Sequence, residues 1–369
     1  MHMNRLIYYK SGAVTTPEAR LLPGMDRFAS FFEITNDTAM PVDRTGTIRF
    51  PIRTHSLFSM PTLRPYTKSY SETCDERAVE ILKRATALNV DVRVMWSGGI
   101  DSTVALVALL KNATTKEELQ RIVVLLSEES ISENPRFFEA HIHGKIRYDS
   151  AIMFPYLLGT KHILVSGTHN DLLFGKDIVG SIVSRFGMSK VLSLIDRDIL
   201  RTFLAEKTGA ADTAEFYIEL FEKLRAIAPL PIDSIYNLFW WFDFCTNWQK
   251  VYTSILPFTA ERNIPLITSE YVDTYYMPFF NTEDFQLWSM NNLDKRIKDT
   301  WESHKWPAKD MIYDFTKDAE YRDTKIKRSS LYFLIVQQKS VNFIDESFRF
   351  FDEATSTDYY DPKNDFRDE

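Results

Sequence analysis

The stretch that most constrains this fold is Val92-Arg-Val-Met-Trp-Ser-Gly-Gly-Ile-Asp-Ser-Thr-Val104. A short, mostly β-branched apolar run ends at Trp96, a Ser/Gly loop follows, and the chain resumes through Val104-Ala-Leu-Val-Ala-Leu-Leu-Lys111 without a turn residue. The pattern predicts a strand, a glycine loop and a helix. A helix opened this way leaves its first-turn N–H groups without intrahelical partners and adds the positive end of its dipole, which suits an anion. Gly98 and Gly99 let the backbone come close to a phosphate and take up φ > 0. Ser97, Ser102 and Thr103 add hydroxyl donors, and Asp101 supplies a carboxylate for Mg²⁺ beside the phosphates. Neither G-x-x-x-x-G-K-[ST] nor G-x-G-x-x-G occurs, so kinase, GTPase and dinucleotide readings lose their motif.

Ser97-Gly98-Gly99-Ile100-Asp101-Ser102 resembles the SGGxDS pyrophosphate loop of the N-type ATP pyrophosphatases. That superfamily includes asparagine synthetase, GMP synthetase, NAD synthetase and several tRNA- and deazaguanine-modifying enzymes. A second stretch, Ser166-Gly-Thr-His-Asn-Asp-Leu-Leu-Phe-Gly175, is similar to the asparagine-synthetase motif S-G-E-G-x-D-E-L-F-G at Ser166, Gly167, Asp171, Leu173, Phe174 and Gly175. The resemblance implies ATP and Mg²⁺ as cofactors, with Asp171 joining Asp101 on the metal and Gly167 at the nucleotide. It implies a doubly wound parallel sheet of the adenine nucleotide alpha hydrolase type, with adenine seated at the end of the second strand near Leu126 and Ser127. His304-Lys-Trp-Pro-Ala-Lys309 and Tyr321-Arg-Asp-Thr-Lys325-Ile-Lys327-Arg328 echo the family's late lysine segments, in which one lysine reaches the pyrophosphate. Lys325 is the first choice for that role and Lys327 the second. Two positions depart from the motif: Thr168 replaces a glutamate implicated in acid–base chemistry on the incoming amine, and Leu172 replaces a second acidic residue. The nucleotide end is kept and the acceptor end is altered. A weaker likeness links Tyr275-Tyr-Met-Pro-Phe-Phe-Asn281 to the family's R-x-P-F-L-D turn, with Asn281 in place of the aspartate.

Around these motifs the chain divides into an irregular or β-containing portion (1–75), a nucleotide-binding portion (76–190), an aromatic-rich helical portion (191–350) and an acidic tail (351–369). Residues 76–85 space alanine, isoleucine and leucine at helical intervals, residues 122–127 and 162–166 read as further strands, and residues 48–54 as an edge strand. A helix is expected over 135–143, whose His141 and His143 lack a third metal ligand nearby. Asparagine synthetases carry an N-terminal glutaminase domain with a cysteine directly after the initiator Met. Here His2 follows Met1 and the N-terminal portion is too short for that domain, so a separate glutaminase is the expected route to any glutamine-derived ammonia.

A net charge of −7 argues against a general nucleic-acid or membrane-surface binder. Cys74 and Cys245 form no CxxC pair, which points to a reducing, cytoplasmic setting, and neither a signal-peptide core nor an apolar run of membrane-spanning length is present. The expected chemistry is adenylation of an acceptor oxygen on a small molecule (ATP to AMP and pyrophosphate), followed by displacement of AMP by ammonia or an amine. Thr168 turns the expectation away from the aspartate-plus-ammonia pair. Two rivals share the loop: an enzyme modifying a nucleobase or nucleic acid, which the acidic composition counts against, and a nucleotide-binding sensor or assembly protein that lost turnover.

Overall fold

The computed structural model describes residues 7–9, 41–48, 56–325 and 347–349. Among them the strands are β1 (Ile7–Tyr9), β2 (Val92–Met95), β3 (Ile122–Leu126), β4 (Arg147–Ser150), β5 (Ile163–Val165) and β6 (Ser347–Arg349). β1 and β6 form an antiparallel ribbon, and β2 to β5 form an all-parallel sheet in the order β4-β3-β2-β5. The fold is α/β and rich in helix. All of β3 is buried, and Val94 of β2 sits between Val124 and Val165. Continuous apolar strands of this kind need cover on both faces. The sheet's growth reverses direction at β2, whose neighbours are β3 and β5. In open α/β sheets such a reversal opens a crevice beyond the carboxyl ends of the strands.

Helix α1 (Tyr70–Leu88) begins earlier than the periodicity over 76–85 suggests, because Ser69 and Glu72 form a reciprocal capping box. It buries Cys74, Ala78, Ile81, Leu82 and Ala85. Helix α2 (Ile100–Asn112) is buried all round from Val104 to Leu109. α3 (Asn170–Phe174) follows β5; in the helical portion α4 (Ile235–Thr246) packs on α3, α6 (Ala319–Thr324) packs on α5 (Trp306–Thr316), and both α1 and α5 pack on α2. The aromatic density over 236–255 is core: Trp240, Trp241 and Trp248 are buried, in one hydrophobic cluster with β2 and α2. Their indole N–H groups all find acceptors, at Leu172 O, Leu224 O and Asn281 Oδ1.

The edge strand expected over 48–54 lies outside the described residues except for Ile48, which is buried and not in a strand, and Lys327 and the acidic tail also lie outside them. No helix of the described residues is long and apolar enough to cross a membrane. Cys74 and Cys245 are free and buried.

One segment of the N-terminal portion docks firmly. Arg44 is buried between the faces of Phe244 and Trp248, and its guanidinium donates to Gln286 Oε1 (2.7 Å) and Phe244 O (2.5 Å). Replacing Arg44 with Met strands both acceptors. The expected loss is about 1–3 kcal/mol for each acceptor left unsatisfied, read by urea unfolding.

Candidate functional site

The site grows from the end of β2. After Trp96 the loop laces itself together: the Ser97 N–H donates to Ser102 Oγ (3.0 Å), and the Gly99 N–H to Ser97 Oγ (3.3 Å). Gly99 is the N-cap of α2 and offers no side-chain cap, and the first intrahelical bond runs from the Thr103 N–H to Gly99 O. The first-turn amides of α2 therefore have no side-chain cap, an arrangement that suits an anion. Gly98 has φ +77, and a Cβ there would come within 2.9 Å of Glu133 Cβ. Both the backbone conformation and the space demand glycine. Thr103 is fully buried, and its hydroxyl accepts from Trp96 Nε1 at 3.0 Å. It therefore pins the strand end to the helix and does not face the loop's opening.

The second motif meets the first through backbone. A Cβ on Gly167 would lie 2.8 Å from both Asp101 C and Ser102 N, so only glycine lets the loop after β5 rest on the first turn of α2. α3 follows at once. It is one short turn of helix that cannot satisfy its own carbonyls, and side chains of the helical portion do so instead: Trp240 Nε1 on Leu172 O, Ser289 Oγ on Leu173 O and Tyr236 OH on Phe174 O. Leu172 is fully buried, so the position where the related motif has an acid is here part of the core.

This packing brings Asp101 and Asp171 to one ammonium. Lys305 Nζ donates to Asp101 Oδ1 (2.7 Å), Asp101 Oδ2 (2.8 Å) and Asp171 Oδ1. Asn170 completes the set by donating to Asp101 Oδ1 (2.7 Å) while accepting from Tyr70 OH (2.7 Å). The lysine side chain is 6% exposed, whereas the carboxylates keep 21% and 25%. Each acid thus keeps part of its surface open to solvent. Burial pushes the Asp101 carboxyl up, Lys305 holds it down, and the neighbouring Asp171 charge pushes it up again.

On the glycine side of the loop stands a second lysine. Lys325 Nζ pairs with Glu133 Oε1 at 2.8 Å, both side chains being buried, and Tyr321 OH donates to Gly98 O at 3.0 Å. Lys325, expected from sequence to reach the pyrophosphate, is here bound to Glu133 and not to the Asp101–Asp171 pair. β3 ends at Leu126, and Ser127 caps the short helix Glu128–Glu133, its own N–H donating to Ser130 Oγ (3.2 Å) and its carbonyl accepting from the Ile131 N–H (3.2 Å). Lys305 lies in the lysine-bearing stretch 304–309 but was not singled out by sequence. Tyr70, Asn170, Glu133 and Tyr321 gave no signal.

Among the described residues no three His, Cys, Asp or Glu side chains converge on a metal position. Two carboxylates with open sides nonetheless suit Mg²⁺, which commonly takes one or two carboxylates and completes its shell with phosphate oxygens and water. His141 packs between Phe137 and Phe315, and His143 pairs with Glu139. Beside the second motif, Ser166 Oγ lies 3.2 Å from Thr168 Oγ1, and the fully buried His169 ring stands 5.0 Å from Trp248. Neither a protein-family model nor a curated protein matches the chain.

Two measurements follow from this geometry. Gly167→Ala forces apart the two loops that carry the carboxylates, and is expected to cost about 1–3 kcal/mol in denaturant unfolding. Burial pushes His169 down from 6.5 to about 3. A depressed pKa means that the unfolded chain binds the extra proton first, so this stability is complete above pH about 6.5 and drains as the pH falls toward 3. Its slope is at most about 1.4 kcal/mol per pH unit, and His169→Gln should remove that slope between pH 6 and 4.

Proposed function

We propose that this chain is an AMP-forming ATP pyrophosphatase of the SGGxDS type, built on a doubly wound sheet and acting as a C–N ligase on a small-molecule acceptor in a reducing, cytoplasmic setting. The observation that carries this reading is the meeting of Asp101 and Asp171, from the loops after β2 and β5, at the start of α2 and at the point where strand order reverses. Phosphate binding at that helix start, with two carboxylates alongside, is what a pyrophosphate-releasing site needs.

In this reading the uncapped amides of α2 and the Ser97 and Ser102 hydroxyls bind the β- and γ-phosphates. The backbone after β3, at Leu126 and Ser127, seats the adenine. Asp101 and Asp171 would hold Mg²⁺, which supplies charge neutralisation on the phosphates when bound. An acceptor oxygen attacks the α-phosphorus, the bond to the β-phosphate bridging oxygen breaks, and pyrophosphate leaves with the electron pair. Lys305 and Lys325 flank the departing charge from the carboxylate and glycine sides. A compact ammonium on a flexible stem can follow such a charge as it develops. An amine or ammonia then attacks the adenylated carbon, and AMP departs.

The test follows α-labelled ATP with Mg²⁺ against pools of amino acids, other carboxylates and nucleotides. AMP is expected with one pool only, and Asp101→Asn should lower its formation by at least about a hundredfold. ATP bound by the wild-type chain without AMP from any pool would replace the enzyme with a nucleotide-binding sensor, the reading that the loss of carboxylates at Thr168 and Leu172 favours.

A further inference from the structure

We propose that Lys305 is a resident counter-ion: in the nucleotide-free protein its ammonium occupies the position of a divalent metal between Asp101 and Asp171, making metal binding conditional on nucleotide. This rests on the ATP reading above. Three carboxylate oxygens from the first turns of two separate helices, α2 and α3, converge on one Nζ. Any other cation seated between the two carboxylates competes with the ammonium for them.

The lysine is also mounted for the task. Its backbone adopts φ +61 at the N-cap of α5, an uncommon conformation for a residue with a side chain. Its N–H is fixed to Arg296 O at 2.9 Å. Arg296 is itself fully buried, stacked 3.4 Å over Trp240, and donates to Asn237 Oδ1 and Ser289 O. Trp240 and Ser289 also hold the carbonyls of α3, the helix that carries Asp171. The ammonium and one of its carboxylates are therefore anchored to the same support, and the pair forms without waiting for a ligand.

A divalent ion arriving alone would have to displace the ammonium from both carboxylates. A nucleotide brings further anionic oxygens for the ammonium, because its phosphates would lie at the start of α2, beside Asp101. The metal can then take the carboxylates while the lysine head swings to phosphate oxygens on an unmoved backbone. Lys305 thus sets the order of binding.

The experiment measures Mn²⁺ binding by calorimetry, and the thermal shift given by Mn²⁺ or Mg²⁺, on the full chain without nucleotide. Wild type is expected to bind weakly. Lys305→Met should bind Mn²⁺ alone at least about tenfold more tightly and gain melting temperature with the metal, as two uncompensated carboxylates would. Lys305→Arg, which keeps the charge, should behave as wild type, and adding Asp171→Asn to Lys305→Met should abolish the gain. Lys305→Gln carries the same comparison if the Met variant does not fold. Equal metal affinity in wild type and the neutral variants would overturn the proposal, as would tight binding by Lys305→Arg. Because these arms contain no nucleotide, they judge the lysine separately from the ATP reading, which stands or falls on ATP binding by the wild-type chain.

Discussion

The site depends on one backbone contact, the seating of Gly167 on the Asp101–Ser102 peptide with no room for a methyl group. Neighbouring parallel strands lie about 4.8 Å apart, but the loops that leave them normally diverge toward their own crossover helices. Here the loop after β5 is pressed against the first turn of α2, so carboxylates from two different loops come within reach of one ammonium. Two acids brought together in a partly buried cleft repel each other, and Lys305 offsets that repulsion. The glycine sets the geometry and the lysine makes it tolerable.

The helical portion is the wall against which this contact is held. α3 is too short to satisfy its own carbonyl groups, and it is oriented by Trp240, Ser289 and Tyr236, each reaching a different carbonyl. Trp240 in turn lies under Arg296, whose carbonyl receives the Lys305 N–H. The aromatic density of this region thus reads as scaffolding with polar handles: the rings supply buried area, and their N–H and O–H groups place the backbone of the second loop. A ligand-stacking role for these rings has no support in their burial.

What could be read from sequence follows the same physics. β3 and β5 were legible because strands buried on both faces are apolar throughout, β2 because Arg93 is its one polar residue, and the first loop because Gly98 and Gly99 follow that run just before a helix. β4 was not legible: its four residues are exposed, so its pairing with β3 leaves no hydrophobic pattern. The early start of α1 was written in Ser69 and Glu72, a capping signature that periodicity alone overlooks. Asp101 and Asp171 could be chosen from motif spacing, whereas Lys305 reaches them from the far side of the chain through a left-handed backbone that no spacing rule predicts. The same limit explains Lys325, whose segment was recognisable while its partner Glu133 was not, and Thr103, whose hydroxyl is taken by Trp96.

The two ends of the cleft differ in charge, and the difference bears on the proposed chemistry. The end that binds nucleotide in the proposed reaction holds three acids (Asp101, Asp171 and Glu133) and two lysines (Lys305 and Lys325). The acceptor end offers the hydroxyls of Ser166 and Thr168 and an imidazole that burial keeps neutral down to a pH of about 3. An imidazole with so low a pKa is a weak base, and Leu172 is sealed in the core where an acid would meet an unfavourable apolar environment. Deprotonation of an incoming ammonium by a carboxylate at either motif position is therefore unavailable to this chain. A nucleophile that arrives neutral, or that loses its proton to the departing AMP phosphate, removes that requirement. Under the proposed reaction, Thr168 and Leu172 then favour an amine of low basicity, and the packing of α3, through Leu172, bears on the choice of amine.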